Sequence, residues 1–151
     1  MCGSCVVHAR ERCMKFWDSS ALVTLLLEQP RSEHARTLAA NDGEIVVWWG
    51  SAIECASAIA RLHHDGQLST TDERLARAML GELSSAWYEI QPGAAVRNQA
   101  MRLLRVHPIR AADALQLGAA LEWCGGGAPG TFITYDDRLR DAASREGFDT
   151  P

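Results

Sequence analysis

Four acidic residues of this sequence share one kind of position, because each falls where a predicted strand ends or a predicted helix begins. They are Asp18, Glu54, Asp113 and Asp136. Carboxylates gathered in one place repel one another, so such a cluster persists only when protons or a divalent cation compensate its charge. Oxygen ligands favour hard ions, and the natural occupant is Mg²⁺ or Mn²⁺ with water completing the coordination shell. Such an ion suits hydrolysis of a phosphodiester, because it polarises a phosphoryl oxygen and activates water.

The alternation of short apolar runs with amphipathic stretches indicates the elements that must position these acids. Apolar runs predict strands at residues 14–17, 44–49, 86–90 and 131–135, and an edge strand at 147–149. Helical patterns predict helices at 21–28, 31–40, 51–64, 69–83, 94–105, 111–123 and 137–145, the first capped by Ser19 or Ser20. This order predicts an α/β fold, a three-layer α/β/α sandwich around a mostly parallel sheet of four to five strands.

Parallel sheets bind ligands beyond the carboxyl ends of their strands, which is where the four acids are expected. Asp18 closes the first predicted strand and Asp136 follows the fourth, while Glu54 and Asp113 lie in first turns of helices. A local explanation is also open for each acid, because Asp and Glu at helix starts cap the backbone or interact with the helix dipole. The sequence therefore predicts a shared acidic rim and leaves simple helix capping as the alternative.

The composition is that of an ordinary globular domain. The chain has 151 residues, of which 47% are hydrophobic and 23% charged, enough to bury a core without disulfides or a structural metal. The first thirteen residues stand apart and contain four possible zinc ligands, Cys2, Cys5, His8 and Cys13. Met14 directly precedes the first apolar run. We therefore expect residues 1–13 to be a disordered leader or a misassigned start, with a zinc knuckle as the alternative, and residues 14–151 to form a single domain.

The charge balance excludes one large class of nucleic-acid-binding proteins. Fifteen Lys and Arg face nineteen Asp and Glu, for a net charge of −4, which argues against binding nucleic acid through bulk positive charge. No apolar run reaches the roughly 20 residues of a membrane span, and we see no apolar core of a signal peptide. We therefore expect a cytoplasmic protein with reduced cysteines and no membrane association.

Four short motifs, in order along the chain, resemble those of the PIN-domain ribonucleases, especially the VapC-type toxins of bacterial toxin–antitoxin pairs. Residues 14–22, MKFWDSSAL, resemble the opening strand that carries the first acid, Asp18. Residues 51–54, SAIE, match the second acid, and residues 112–121, ADALQLGAAL, resemble the helix that bears the third. Residues 134–139, TYDDRL, resemble the segment of the fourth acid, with Asp136 in register. The resemblance extends from Met14 to about Asp149.

The resemblance implies a Mg²⁺-dependent endoribonuclease that cleaves structured RNA such as transfer or ribosomal RNA. The four acids would hold Mg²⁺, or Mn²⁺, and carry out catalysis. Such toxins are usually homodimers neutralised by a VapB-type antitoxin, whose inserted segment often brings Arg to the carboxylates.

Other residues near the motifs receive supporting roles in this interpretation. Ser20 and Thr134 would hydrogen-bond the carboxylates or a water bound to the metal, or else serve only as a helix cap and a strand-end polar group. Arg110 would contact an RNA phosphate. Asp137 duplicates the acid beside Asp136, and strand alternation favours Asp136 as the one that faces the metal. Asp137 would then be a supporting residue beside the metal ligands, like Ser20 and Thr134.

Two other functions are compatible with parts of the sequence. A catalytically silent module would keep the fold without the chemistry, although all four acids are present. An aspartyl-phosphate phosphohydrolase would use Asp18 as its nucleophile. That enzyme class usually needs a second acid two positions later, where this chain has Ser20, and a nearby helper Lys.

Overall fold

The computed structural model describes residues 14–151, so the leader and zinc-knuckle hypotheses for residues 1–13 lie outside the described residues. The strands are β1 (Lys15–Trp17), β2 (Ile45–Trp48), β3 (Tyr88–Ile90) and β4 (Thr131–Ile133). The helices are α1 (Ser19–Leu26), α2 (Ser32–Ala40), α3 (Ser51–His64), α4 (Thr70–Ala86), α5 (Ala94–Val106), α6 (Ala111–Cys124) and α7 (Asp137–Arg145).

The four strands form one parallel sheet in the order β3-β2-β1-β4. In the central strand, Phe16 pairs with Val46 on one side and Phe132 on the other. Parallel neighbours require crossover connections, and the helices between the strands provide them. The predicted three-layer α/β/α fold with a parallel sheet is therefore confirmed.

The alternation of side chains along each strand divides the core between the two faces of the sheet. Phe16 and Phe132 pack with residues of α5, α6 and α7. Trp17 and Ile133, their neighbours in sequence, pack with residues of α1, α2, α3 and α4 on the other face. All four side chains are fully buried, and burial of a large apolar side chain contributes about 1.5–3 kcal/mol. Helices therefore cover both faces and leave the strand ends as the open edge.

Several predicted boundaries are wrong by one to three residues, and three differences matter most. Asp18, rather than Ser19 or Ser20, is the N-cap of α1, because its side chain accepts a hydrogen bond from the Ser20 backbone N–H. Ala86 ends α4 instead of opening β3, as suits the best helix-forming residue. The edge strand predicted at 147–149 is reduced to one bridge between Asp149 and Thr131.

Among residues 14–151, no helix combines the length and the apolar character needed to cross a membrane.

Candidate active site

The four acidic residues meet at the carboxyl edge of the sheet. Asp18 directly follows β1, Asp136 lies beyond β4, and Glu54 and Asp113 lie in the first turns of α3 and α6. All four line one cleft of about 560 Å³. Residues from widely separated parts of the chain therefore share a single acidic cleft.

Asp18 is the most buried of these acids, with 3% of its surface exposed. Its Oδ2 accepts hydrogen bonds from the Ser20 backbone N–H at 3.1 Å, from the Ser20 hydroxyl, and from Thr134 Oγ1 at 2.9 Å. Burial raises the pKa of Asp18, as does the negative charge of Asp113 to a lesser extent, while the hydrogen bonds act in the opposite direction. Ser20 and Thr134 therefore both donate to the Asp18 carboxylate and hold it in place.

Glu54 is positioned by two polar side chains to which the sequence interpretation gave no such role. Ser19 Oγ donates to its Oε2 at 2.8 Å, and Gln116 Nε2 donates to its Oε1 at 3.2 Å. Burial raises the pKa of Glu54, the negative charges of Asp18 and Asp113 raise it further, and the two hydrogen bonds lower it. Gln116 was detectable, because it lies three residues after Asp113 and thus on the same face of α6.

Asp113 and Asp136 each combine a local capping bond with a place in the cleft. Asp113 Oδ2 accepts from the Arg110 backbone N–H at 3.1 Å, and Asp136 Oδ1 accepts from the Leu139 backbone N–H at 2.8 Å. Capping and a shared acidic site are therefore compatible, since each bond engages only one of the two carboxylate oxygens. Asp113 and Asp136 therefore both cap a helix and line the acidic cleft.

Asp137 differs in placement from its neighbour Asp136. Its side chain is 92% exposed and forms an ion pair with Arg140 at 2.9 Å, outside the lining of the acidic cleft. Arg110 does line the cleft, and so does Arg61, which the sequence analysis did not single out. Arg61 follows Glu54 by seven positions, two turns along α3, which is the spacing of residues on one helix face.

The negative charge of the cleft is not neutralised by ion pairs within the described chain. Among residues 14–151, the salt bridges involve other acids, which are Glu28, Asp42, Glu73, Asp137, Asp141 and Glu146. Across the same residues, no three His, Cys, Asp or Glu side chains form a group that would bind one ion directly. Mg²⁺ commonly keeps several waters and binds through one or two carboxylates, so this oxygen donor set fits a hydrated divalent ion.

The parallel sheet, flanked by helices and open at its carboxyl edge, has the architecture of the PIN-like fold. No protein-family model and no curated protein matches the chain by sequence. Solved structures of PIN-domain proteins do match its fold.

VapC20 of Mycobacterium tuberculosis, described as a sarcin-ricin loop cleaving toxin, matches with a TM-score of 0.65 at 18% identity over 89% of this chain and 96% of its own. PAE2754 of Pyrobaculum aerophilum matches with a TM-score of 0.64 at 15% identity, over 93% and 90% of the two chains. FitAcB of Neisseria gonorrhoeae matches with a TM-score of 0.61 at 15% identity, over 91% and 96%. The chain therefore has the PIN-domain fold that its motifs implied.

Proposed function

We propose that the protein is a Mg²⁺-dependent endoribonuclease of the VapC toxin type. The observation that carries the proposal is the convergence of Asp18, Glu54, Asp113 and Asp136 in one cleft without ion-pair partners among the described residues. Burial and mutual repulsion raise the pKa of both Asp18 and Glu54, so a bound cation would stabilise the charged forms of these groups.

The side chains of the cleft have two proposed roles, since the carboxylates bind the metal and their neutral neighbours orient them. The four carboxylates would hold a hydrated Mg²⁺, or Mn²⁺ in its place, some of them through its water molecules. When bound, the ion would supply Lewis acidity toward a phosphoryl oxygen and would activate water. Ser20 and Thr134 hold the carboxylate of Asp18, whereas Ser19 and Gln116 hold that of Glu54. These hydrogen bonds restrict the rotamers of the metal-binding groups, which favours a fixed coordination geometry.

The resemblance of the motifs supports a proposal for the substrate and the partners. We propose that the enzyme acts in the cytoplasm on structured RNA, either transfer or ribosomal RNA, with Arg110 binding a phosphate beside the cleaved bond. VapC20, which shares the fold, is described as cleaving the sarcin-ricin loop. We further propose a homodimer that a VapB-type antitoxin neutralises by inserting a segment across the cleft. Arg side chains on that segment would compensate the carboxylates directly.

Carboxylate substitutions test this function directly. The purified 151-residue chain is incubated with total RNA and Mg²⁺ or Mn²⁺, beside Asp18→Asn, Asp113→Asn and the control Asp141→Asn, whose exposed side chain pairs with Arg145 outside the cleft lining. We expect the first two variants to lose at least about 100-fold in cleavage rate, because each loses a charged metal ligand, while the control stays within a few-fold of wild type. Circular dichroism checks that each variant is folded. Equal cleavage by wild type, Asp18→Asn and Asp113→Asn would rule out the proposed mechanism.

A further inference from the structure

A second recess, of about 370 Å³, adjoins the acidic cleft. The two share Ser20, Val23, Ala58 and Arg61 in their linings, so an RNA strand that leaves the acids in this direction meets the recess next. Arg31 and Tyr135 also line the recess, beside the polar side chains of Thr24 and Gln29. Tyr135 directly precedes Asp136, and its backbone N–H donates to Ser20 Oγ at 2.9 Å. The recess is therefore built on the same residues that position the acids.

A short chain of contacts holds one cation of this recess in place. The Arg31 guanidinium lies over the Tyr135 ring, 5.1 Å from its centroid, a cation–π geometry. The Tyr135 hydroxyl in turn lies 2.8 Å from His34 Nδ1. A guanidinium already held against a ring loses less side-chain entropy when it binds a ligand. Arg31 is thus pre-organised at the edge of the cleft.

The two guanidinium groups of the recess are also free of internal ion pairs. In the part of the chain that the structure describes, arginine pairs with a carboxylate at Arg36, Arg77, Arg102, Arg140 and Arg145. Arg31 and Arg61 are not among them, and both are exposed. These two guanidinium groups would repel any further cation that approaches the recess and would attract an anion. The natural anion at this place is a phosphate of the bound substrate.

We propose that this recess is a substrate subsite in which Arg31 and Arg61 bind the sugar–phosphate backbone of the RNA strand next to the cleaved bond. The inference rests on the proposed ribonuclease function and adds the path of the strand. The acids alone would repel RNA, and the recess supplies the compensating charge on one side of them. Tyr135 acts as a positioning residue, since it orients Arg31 through its ring.

Binding and kinetics of arginine variants test the subsite. Arg31→Ala, Arg61→Ala and the double variant are compared with Arg74→Ala and Arg97→Ala, two exposed arginines outside both linings. Affinity for a short single-stranded RNA of mixed sequence is measured in the Asp113→Asn background, where cleavage should be at least about 100-fold slower, over a range of salt concentrations.

Each subsite variant should bind the RNA about fivefold to thirtyfold more weakly. The slope of log affinity against log salt concentration should fall by about 1 in magnitude. The controls should change neither the affinity nor this slope. In the active enzyme, the subsite variants should raise KM far more than they change kcat. Tyr135→Leu should weaken binding, and Tyr135→Phe, which keeps the ring, should restore it.

The failure of the subsite and the failure of the proposed function give different results. If wild type cleaves RNA while the double variant keeps its KM and salt slope, the subsite is overturned and the nuclease stands. If the arginine controls weaken binding as much as the subsite variants, the effect is one of overall charge and the subsite is again overturned. If wild type neither binds nor cleaves RNA, both proposals fail.

Discussion

The site carboxylates are held by neutral donors rather than by cations. Asp18 is almost fully buried, and a buried charge is unfavourable unless it is hydrogen-bonded or paired. Hydroxyl and backbone N–H groups from Ser20 and Thr134 supply the hydrogen bonds. Because these donors carry no net charge, the negative charge of Asp18 remains to attract a cation. The arrangement is unfavourable for stability in the metal-free protein and favourable for metal binding.

The raised pKa values of Asp18 and Glu54 predict an acid limb in the pH profile of cleavage. The carboxyl groups must lose their protons to bind Mg²⁺, so kcat/KM should fall with decreasing pH already above the ordinary values of 3.8 for Asp and 4.5 for Glu. A pH series in a non-chelating buffer, at a Mg²⁺ concentration well below its Kd and with folding checked at each pH, measures this limb. An acid limb at or below those ordinary values would contradict the prediction.

The stability of the metal-free protein should also depend on pH through Asp18. Its contribution should become less favourable as pH rises, whereas cleavage should increase. Because the folded-state pKa of Asp18 is raised, the metal-free folded protein binds this proton more tightly than the unfolded chain does. The destabilising contribution of Asp18 is therefore absent below the unfolded pKa and complete above the folded pKa. Asp18→Asn should gain stability relative to wild type as pH rises, which urea unfolding in EDTA measures.

At the scale of elements, helix α6 positions Asp113 and Gln116 through a close approach to α5. Gly118 lies on this contact, where an added Cβ would come within 3.1 Å of the Ala100 backbone N and the Val96 carbonyl O. Both atoms belong to the backbone, so neither moves aside at little cost. The absence of a side chain at position 118 therefore sets how near α6 lies to the rest of the sandwich.

Two glycine-to-alanine substitutions should have opposite effects on stability. Gly81 lies in α4 with no atom within 4 Å of an added Cβ, so Gly81→Ala should stabilise by roughly 0.5–1 kcal/mol through helix propensity. Gly118→Ala gains the same propensity but crowds α5, and overpacking of this kind costs about 1–3 kcal/mol, for a net loss of roughly 1 kcal/mol. Urea unfolding of both variants measures the two changes in unfolding free energy. A gain in stability for Gly118→Ala would show that α6 shifts freely.

At the scale of the whole molecule, the fold and the site are supported by different interactions. Two apolar cores, one on each face of the sheet, hold the described chain together. The acids lie beyond the strand ends and contribute polar contacts only at that edge. The fold should therefore form without metal, whereas the proposed activity should require it.

Metal removal should abolish the proposed activity without unfolding the protein. EDTA should abolish RNA cleavage and leave the circular dichroism spectrum unchanged. Added Mg²⁺ should restore cleavage and raise the unfolding free energy, by about 2.7 kcal/mol at a concentration one hundred times its Kd. Asp18→Asn provides the control, since it should be stabilised much less by Mg²⁺. Loss of the folded spectrum in EDTA would mean that the ion is structural.

Much of the architecture was predictable because local patterns encode it. Apolar runs of β-branched and aromatic residues such as Ile45–Trp48 predict strands, and helical spacing predicts the crossovers between them. The prediction failed at the edge of the sheet, near the end of the described chain. The segment at 147–149 forms a single bridge, since Gly147 takes a left-handed conformation with φ of 98° and only Asp149 pairs with Thr131.

The sequence by itself determined which acids fall at the carboxyl ends of strands and the starts of helices, because those positions depend on short-range periodicity. Only the tertiary structure decided which other side chains join them. Ser19 and Glu54 lie 35 positions apart and Gln116 and Glu54 lie 62 apart, yet each pair forms a hydrogen bond. Such contacts depend on how α1, α3 and α6 pack around one sheet edge. No local pattern specifies that packing, since it results from two apolar cores assembled from the whole described chain.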